Sequence, residues 1–448
     1  MGSLPRPAVA PSSPSKHNAA RALIPVLLLS LPIVALLFHC AYHSYECGHH
    51  SVDRFHGLEP AVPFPPIDGL AAHTFLYVAS YGGSVTTLKL SRGTNTAAAS
   101  WGLEPVAYTE GCAGSPSWLT LDATNSVLYC TDEGLTTGSE GSLSSFSTIE
   151  DGSLVRLANV RTVFGPVSAA VYGKHGKGLA VAHYGGSALS TWDVEDPSTI
   201  TAVQTRLFKM AQPGPNPSRQ EAPHPHAAIM DPTGQFILVP DLGADLVRIY
   251  AVRDGELRLT EREPLFVAPG SGPRHLAFAD KGDKTFLYLV TELGNTVVGY
   301  EVSYDAESIA FEQVWTSGIH GKGKDVPAGG AASEIIVSPD SNFLILSSRN
   351  ESSLELSNVD PSDITSDPLI NFAIDPKTGH LNLLQEVACG GRGPRQFSMN
   401  KAGTLVAVAL QDDGRVVVME RNVETGELGG LVAHAEIDGE VTAVIFNE

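Results

Sequence analysis

One phrase recurs along this chain, and its recurrence leaves few folds open. One copy, His224–Asp245, reads HPHAAIMDPTGQFILVPDLGAD. The next reads GPRHLAFADKGD over Gly272–Asp283 and continues FLYLVTEL over Phe286–Leu293. Each copy is an apolar strand, a turn built from Pro, Gly and Asp, a second apolar strand and a polar tip. A β-hairpin repeated at tens of residues marks a propeller or a solenoid. The first strand and its turn recur at Ser117–Leu128, Val167–Val181, Ala227–Val239, His275–Leu289, Glu334–Leu346 and Gln396–Val408, in steps of about 48 to 62 residues. The turns carry the residues that a reversal needs, as in Asp231–Gly234, Ser338–Ser341 and Asn400–Gly403.

A seventh unit is split between the chain ends. Val441–Phe446 reads as a strand with no hairpin partner after it, and Thr74–Tyr81 as a strand with none before it. Pairing them closes a ring and removes the open edge that exposes an all-β protein to aggregation. The expected fold is therefore an all-β, seven-bladed β-propeller closed by its N- and C-terminal strands. Irregular insertions at Ala211–Pro223 and Glu351–Pro368 leave counts of six or eight open.

The chain has 448 residues, 44 Gly, 30 Pro and a net charge of −20. The even repeat argues for one large body over 69–448 rather than several domains. The negative charge is spread without acidic blocks and argues against nucleic acid, which needs clustered Lys and Arg. The five cysteines, Cys40, Cys47, Cys112, Cys130 and Cys389, show no zinc-like spacing. Cys112 and Cys130 pair if the body is lumenal and are otherwise buried thiols. GxSxG and HExxH motifs are absent, and GIHGKGKD at Gly318–Asp325 lacks the Ser/Thr and the strand-to-helix context of a phosphate loop. No metal and no cofactor is expected.

Residues 1–21 read as a disordered tail. Residues 22–42 carry no charged side chain over a length that spans a bilayer. Arg6, Lys16 and Arg21 precede them, which directs the N-terminus to the cytoplasm and the body, after a stalk at 43–68, to the lumen or exterior. The expectation is a single-pass anchor, with a cleaved signal peptide and a secreted body as the alternative. Asn350–Ser352 is the one glycosylation sequon.

Charged residues are scarce, 17% of the chain, yet several fall at matching blade positions. His224 and His226 precede one inner strand, Arg274 and His275 the next, and Arg395 a later one, with Glu334 between. Asp241, Glu292 and Arg349 end second strands. Antiparallel pairing brings both sets to one mouth of the central channel. Arginines hold anions through paired charge-assisted hydrogen bonds. Histidine, or a carboxylate tuned by its neighbours, moves a proton. An anionic small molecule with a labile proton or an activated water fits such a ring.

At these residues the chain resembles the lactonase family of seven-bladed propellers, which includes propeller-type 6-phosphogluconolactonases and fungal carboxy-cis,cis-muconate lactonizing enzymes. The likeness runs from about Thr74 to the C-terminus and rests on HPH…DPTG, PDLGAD, GPRH, TEL and SRN. It implies catalytic roles for His226, Arg274, Glu292 and Arg349, with His224 the less favoured histidine. His224, His275, Arg395 and Asp241 are expected to bind substrate. The chain departs from the family at Ser348, where relatives carry Asn, in the polar insertion Glu351–Pro368, and in its apolar N-terminal segment.

The resemblance implies hydrolysis of an anionic lactone by a monomer. Arg274 and Arg349 would hold the anion, while His226 and Glu292 share proton transfer. Cyclisation of an unsaturated acid to a lactone is one alternative. A non-catalytic, membrane-tethered interaction propeller is the other.

Overall fold

The computed structural model describes residues 73–93, 101–305, 307–356 and 365–448. The expected tail, membrane anchor and stalk lie outside these residues, as do Cys40 and Cys47. Among the described residues no helix is long and apolar enough to cross a membrane.

Seven four-stranded antiparallel sheets account for nearly all the strands among the described residues. Blades 1 to 7 have as innermost strands Val441–Phe446, Pro116–Asp122, Pro166–Tyr172, Ile229–Met230, Pro273–Asp280, Ala331–Val337 and Pro394–Met399. The split unit closes as the sequence predicts. In blade 1, Phe446 stands opposite Leu76 and Val444 opposite Val78, so the C-terminal strand lines the channel and His73–Ser80 is its neighbour.

The second strands are the most apolar because both of their faces are covered. FILVPD at Phe236–Asp241 and LVAVAL at Leu405–Leu410 are buried throughout. Their side chains fill the seams between blades. Leu76, Val78, Val416, Val418 and Val444 join blades 7 and 1, and Tyr288, Leu344 and Phe372 join blades 5 and 6. Cys112 and Cys130 form a disulfide that ties the connection entering blade 2 to its second strand. Cys389 is a buried free thiol.

Both irregular insertions are decorations on a seven-bladed ring. Glu351–Pro368 leaves blade 6 between its second and third strands and pairs Leu354–Glu355 with Thr365–Ser366. The carboxylate of Asp367 ties its base down. It accepts the backbone N–H groups of Asn350 (3.1 Å), Glu351 (2.8 Å), Ser352 (2.7 Å) and Gly393 (2.8 Å). Asn350 of the sequon is exposed beside it.

Candidate active site

Four inner strands begin alike at the mouth: a proline, then a bulge. Register shifts fall between Pro116 and Trp118, Pro166 and Ser168, Pro273 and His275, and Pro394 and Gln396. Proline suits a strand start because it has no N–H to pair. The bulge leaves the next residue out of the ladder and re-aims its side chain. That slot holds Ser117, Val167, Arg274 and Arg395. Gly272 and Gly393, at φ 62° and 70°, make the turn into two of these strands. A Cβ on Gly272 would stand 2.5 Å from Leu293. In blade 4, Pro225 bridges to Asp241 and the His226 N–H donates to the Pro240 carbonyl at 2.8 Å, so His226 takes the same slot.

Glu292 follows Thr291, the residue opposite Pro273. Its side chain is 4% exposed and is gripped by three guanidinium groups. Arg274 Nε donates at 2.9 Å, Arg219 Nη2 at 2.7 Å, and Arg349 Nη2 lies 3.3 Å away. Burial alone would raise its pKa. Arg349, Arg274 and Arg219 outweigh burial and hold it at about 2. Glu292 is therefore anionic at neutral pH and is shared by three arginines, an arrangement that favours a role in holding them over the proton transfer expected from the sequence.

The arginines outnumber the carboxylate they share. Burial, then Arg349, pushes Arg274 down to about 9, still charged at neutral pH. Arg274 Nη1 and Arg349 Nε are buried without a hydrogen-bond partner among the described residues. Arg395 is tethered across the mouth to Glu133 at 3.3 Å and lies over the Tyr81 ring. Tyr81 donates its hydroxyl to the same Glu133.

Arg219 had no place in the sequence reading. It lies in the insertion Ala211–Pro223, which repeats nowhere and so carries no positional signal. The fully buried Gln220 fixes the segment, donating to the Leu242 carbonyl at 3.0 Å and accepting the Asn216 N–H at 3.0 Å. Arg219 then reaches both Glu292 and, at 3.4 Å, the Tyr184 hydroxyl.

His226 and His275 are buried beside the arginines, with His226 Nδ1 3.2 Å from His275 Nε2 and His275 Nδ1 2.8 Å from Glu334 Oε1. Burial, then Arg274, His275 and Arg395, holds the pKa of His226 well below that of an ordinary histidine. Burial also lowers that of His275, against the pull of Glu334.

Three of the expected substrate contacts, Asp241, His224 and His275, have their polar atoms engaged within the protein. Asp241 is fully buried, accepts the N–H groups of His224 (2.6 Å) and Ala244 (3.1 Å), and pairs with Arg248 at 2.8 Å. It stands opposite Pro225, whereas Glu292 lies one residue past the position opposite Pro273. A one-residue offset turns a strand side chain to the other face, so the two are not equivalents. Asp241 matches Asp132, which accepts the Ser115 N–H at 2.6 Å in blade 2. His224 stacks on Tyr184 at 4.2 Å, with its nitrogens engaged by the Tyr184 carbonyl (2.9 Å) and Glu221 (3.0 Å). His275 has both nitrogens engaged within the protein and none free for a ligand. Among the described residues no three His, Cys, Asp or Glu side chains converge to hold a metal ion.

Comparison with known proteins agrees with this architecture. The family model described as "Lactonase, 7-bladed beta-propeller" matches residues 75–446. A "Probable 6-phosphogluconolactonase" of Arthroderma benhamiae is 32% identical over 363 residues, 80% of this chain and 85% of the relative. The 6-phosphogluconolactonase of Bacillus subtilis is 26% identical over 317 residues, 70% of this chain and 82% of the relative. The solved structure of the periplasmic gluconolactonase of Pseudomonas aeruginosa superposes with a TM-score of 0.68 at 25% identity, covering 84% of this chain and 99% of that one. By fold and sequence, the chain belongs to the lactonase family of seven-bladed β-propellers.

Proposed function

We propose that this protein hydrolyses the ring ester of a phosphorylated sugar lactone of the 6-phosphogluconolactone type. The observation that carries the reading is the uneven charge at the mouth. Arg219, Arg274 and Arg349 share one carboxylate, Glu292, and two of their nitrogens, Arg274 Nη1 and Arg349 Nε, are buried without a partner among the described residues. A buried donor left unpaired costs about 1–3 kcal/mol, which a bound anion would recover. The net positive charge suits a phosphate dianion better than a neutral sugar. The names of the relatives point to the same substrate class.

In the proposed reaction Arg274 and Arg349 hold the phosphate from inside the mouth, and Arg219, whose side chain is 39% exposed, closes on it from the rim. His226 is neutral at working pH and takes a proton from water as its oxygen attacks the lactone carbonyl. The tetrahedral intermediate then expels the ring oxygen, which receives that proton back as the C–O bond breaks. Ester and water become carboxylic acid and alcohol, with no redox partner.

An oxidising compartment belongs to the same proposal. The Cys112–Cys130 bond supports it, since such bonds persist outside the cytosol. The test compares the full-length protein on 6-phosphogluconolactone and on gluconolactone, following ring opening by proton release. Turnover of the phosphorylated lactone at a kcat/KM at least about a hundredfold higher is expected from two charge-assisted contacts. Equal rates on both, or none above spontaneous hydrolysis, refutes the reading.

A further inference from the structure

Three buried side chains from three blades form a line of hydrogen bonds, and the proposed reaction uses only its end. Glu334 comes from the innermost strand of blade 6, His275 from that of blade 5, and His226 from the bulge slot of blade 4. They are 59 and 49 residues apart, yet the contacts are 2.8 Å and 3.2 Å. Trp118 meets the His275 ring edge-on at 5.5 Å, and Tyr184 meets the His226 ring at 5.5 Å. These rings hold the imidazole planes and keep bulk water away, which strengthens each link.

The donor directions follow from one fixed point. Glu334 Oε1 accepts the backbone N–H of Ile335 at 3.0 Å, so it offers lone pairs. His275 Nδ1 must then donate to it. A neutral imidazole carries a single N–H, which leaves a lone pair on His275 Nε2. His226 Nδ1 must in turn donate to that lone pair. The remaining nitrogen, His226 Nε2, is then unprotonated, and it has no hydrogen-bond partner among the described residues. In water a neutral histidine favours the opposite form, with the proton on Nε2. The line thus works against the intrinsic preference of the ring.

We infer that Glu334 and His275 are positioning residues that lock His226 in its Nδ1–H form and so present a bare Nε2 lone pair to the attacking water. The inference rests on the lactone-hydrolysis reading for its kinetic consequence only. Glu334 Oε2 is buried with no partner among the described residues, spare acceptor capacity at the far end of the line. When His226 takes the proton from water, the positive charge forms two hydrogen bonds from this carboxylate, which stabilises it. The charged groups acting on the two rings are Arg274 and Arg395, which oppose their protonation, and Glu334 and Glu292, which favour that of His275. Burial, and then the arginines, keep the pair neutral at rest, while Glu334 pulls His275 the other way.

The test is ¹⁵N NMR of the full-length protein labelled at histidine, with His226→Gln and His275→Gln used to assign the ring signals. At neutral pH His226 is expected with a protonated Nδ1 and a bare Nε2. Glu334→Leu removes the acceptor, and His226 should revert towards the Nε2–H form. In that variant kcat falls at least about tenfold, part of the roughly 10²–10⁴ that a positioned base contributes. KM stays within about twofold, because the arginine grip is untouched.

Glu334→Gln keeps an acceptor oxygen and loses the charge. The tautomer should persist, while the acid limb of kcat/KM moves to lower pH, since the histidines lose a nearby anion. Glu334→Gln carries the kinetic test if Glu334→Leu does not fold. An Nε2–H form of His226 in the unaltered protein overturns the inference, as does an acid limb that stays put in Glu334→Gln. The NMR result does not depend on substrate. A locked tautomer in a protein that opens no lactone would therefore sink the proposed function and leave the locking device standing.

Discussion

Replacing Glu292 with Gln removes the one anion among three guanidinium groups while keeping the shape of the side chain. Two routes give the cost. Depression of the Glu292 pKa from 4.5 to about 2 corresponds to about 3 kcal/mol of preference for the charged form in the folded protein. Removing one partner from a buried ion pair costs about 3–5 kcal/mol, because the other charge is left uncompensated. For the domain at 75–446, an unfolding entropy of about 2.1 cal/mol/K per residue amounts to roughly 0.8 kcal/mol/K. The variant should therefore melt about 4–6 °C below the parent in low-salt buffer near neutral pH.

The difference must also depend on pH and on anions. The folded pKa is depressed, so the stabilisation is complete above pH 4.5 and disappears as pH falls towards about 2. The two proteins converge over that window. Inorganic phosphate should restore much of the loss, since the freed arginines gain a replacement anion. Phosphate at a hundred times its Kd contributes about 2.7 kcal/mol. The assay is calorimetric melting of both proteins with and without phosphate. Melting temperatures within about 1 °C of each other, or a variant that phosphate does not stabilise, would refute the account of Glu292 as the clamp of the arginine cluster.

Arg219→Ala should raise KM for a phosphorylated lactone about tenfold or more, the worth of one charge-assisted hydrogen bond, with little change in melting temperature. An unchanged KM removes Arg219 from the site. Replacing both Cys112 and Cys130 with Ser opens a loop with a sequence separation of 18 and should cost about 3 kcal/mol in denaturant unfolding. Truncation before Val441 strips blade 1 of its channel strand and should abolish the cooperative melt of the whole ring, whereas a soluble, cooperatively melting product contradicts strand closure. His183 is fully buried, and burial lowers its pKa from 6.5 to about 4. Its neutral form matches the unfolded state above pH 6.5, so stability falls on acidification by up to about 3 kcal/mol as pH approaches 4. Equal denaturant midpoints near pH 7 and near pH 4.5 would count against this.

The repeat made the ring legible. Strand, turn and strand are local features with a period of two, and the unpaired Val441–Phe446 could satisfy its backbone only against the strand at the other end of the chain. The position before the inner strand was legible too, since His226, Arg274 and Arg395 fall there in different copies, but the bulge that re-aims it shows only in the pairing. The register was not visible to a single residue. Asp241 and Glu292 look alike at the ends of their strands, and only the pairing shows that one caps a turn while the other enters the mouth.

What the sequence determined by itself is the scaffold and which residue types stand at its rim. Hairpin periodicity and turn chemistry act over a few residues and need no knowledge of the rest. Roles depend on what lies across the channel, and ring closure alone decides that. Arg219 arrives from a segment with no repeat, Glu292 becomes a fixed anion because three arginines surround it, and His226 acquires its tautomer from Glu334 through His275. Electrostatic and hydrogen-bonding partners act over a few ångströms in space, whatever their separation along the chain, so the chemistry of this site became readable only when the seven blades met.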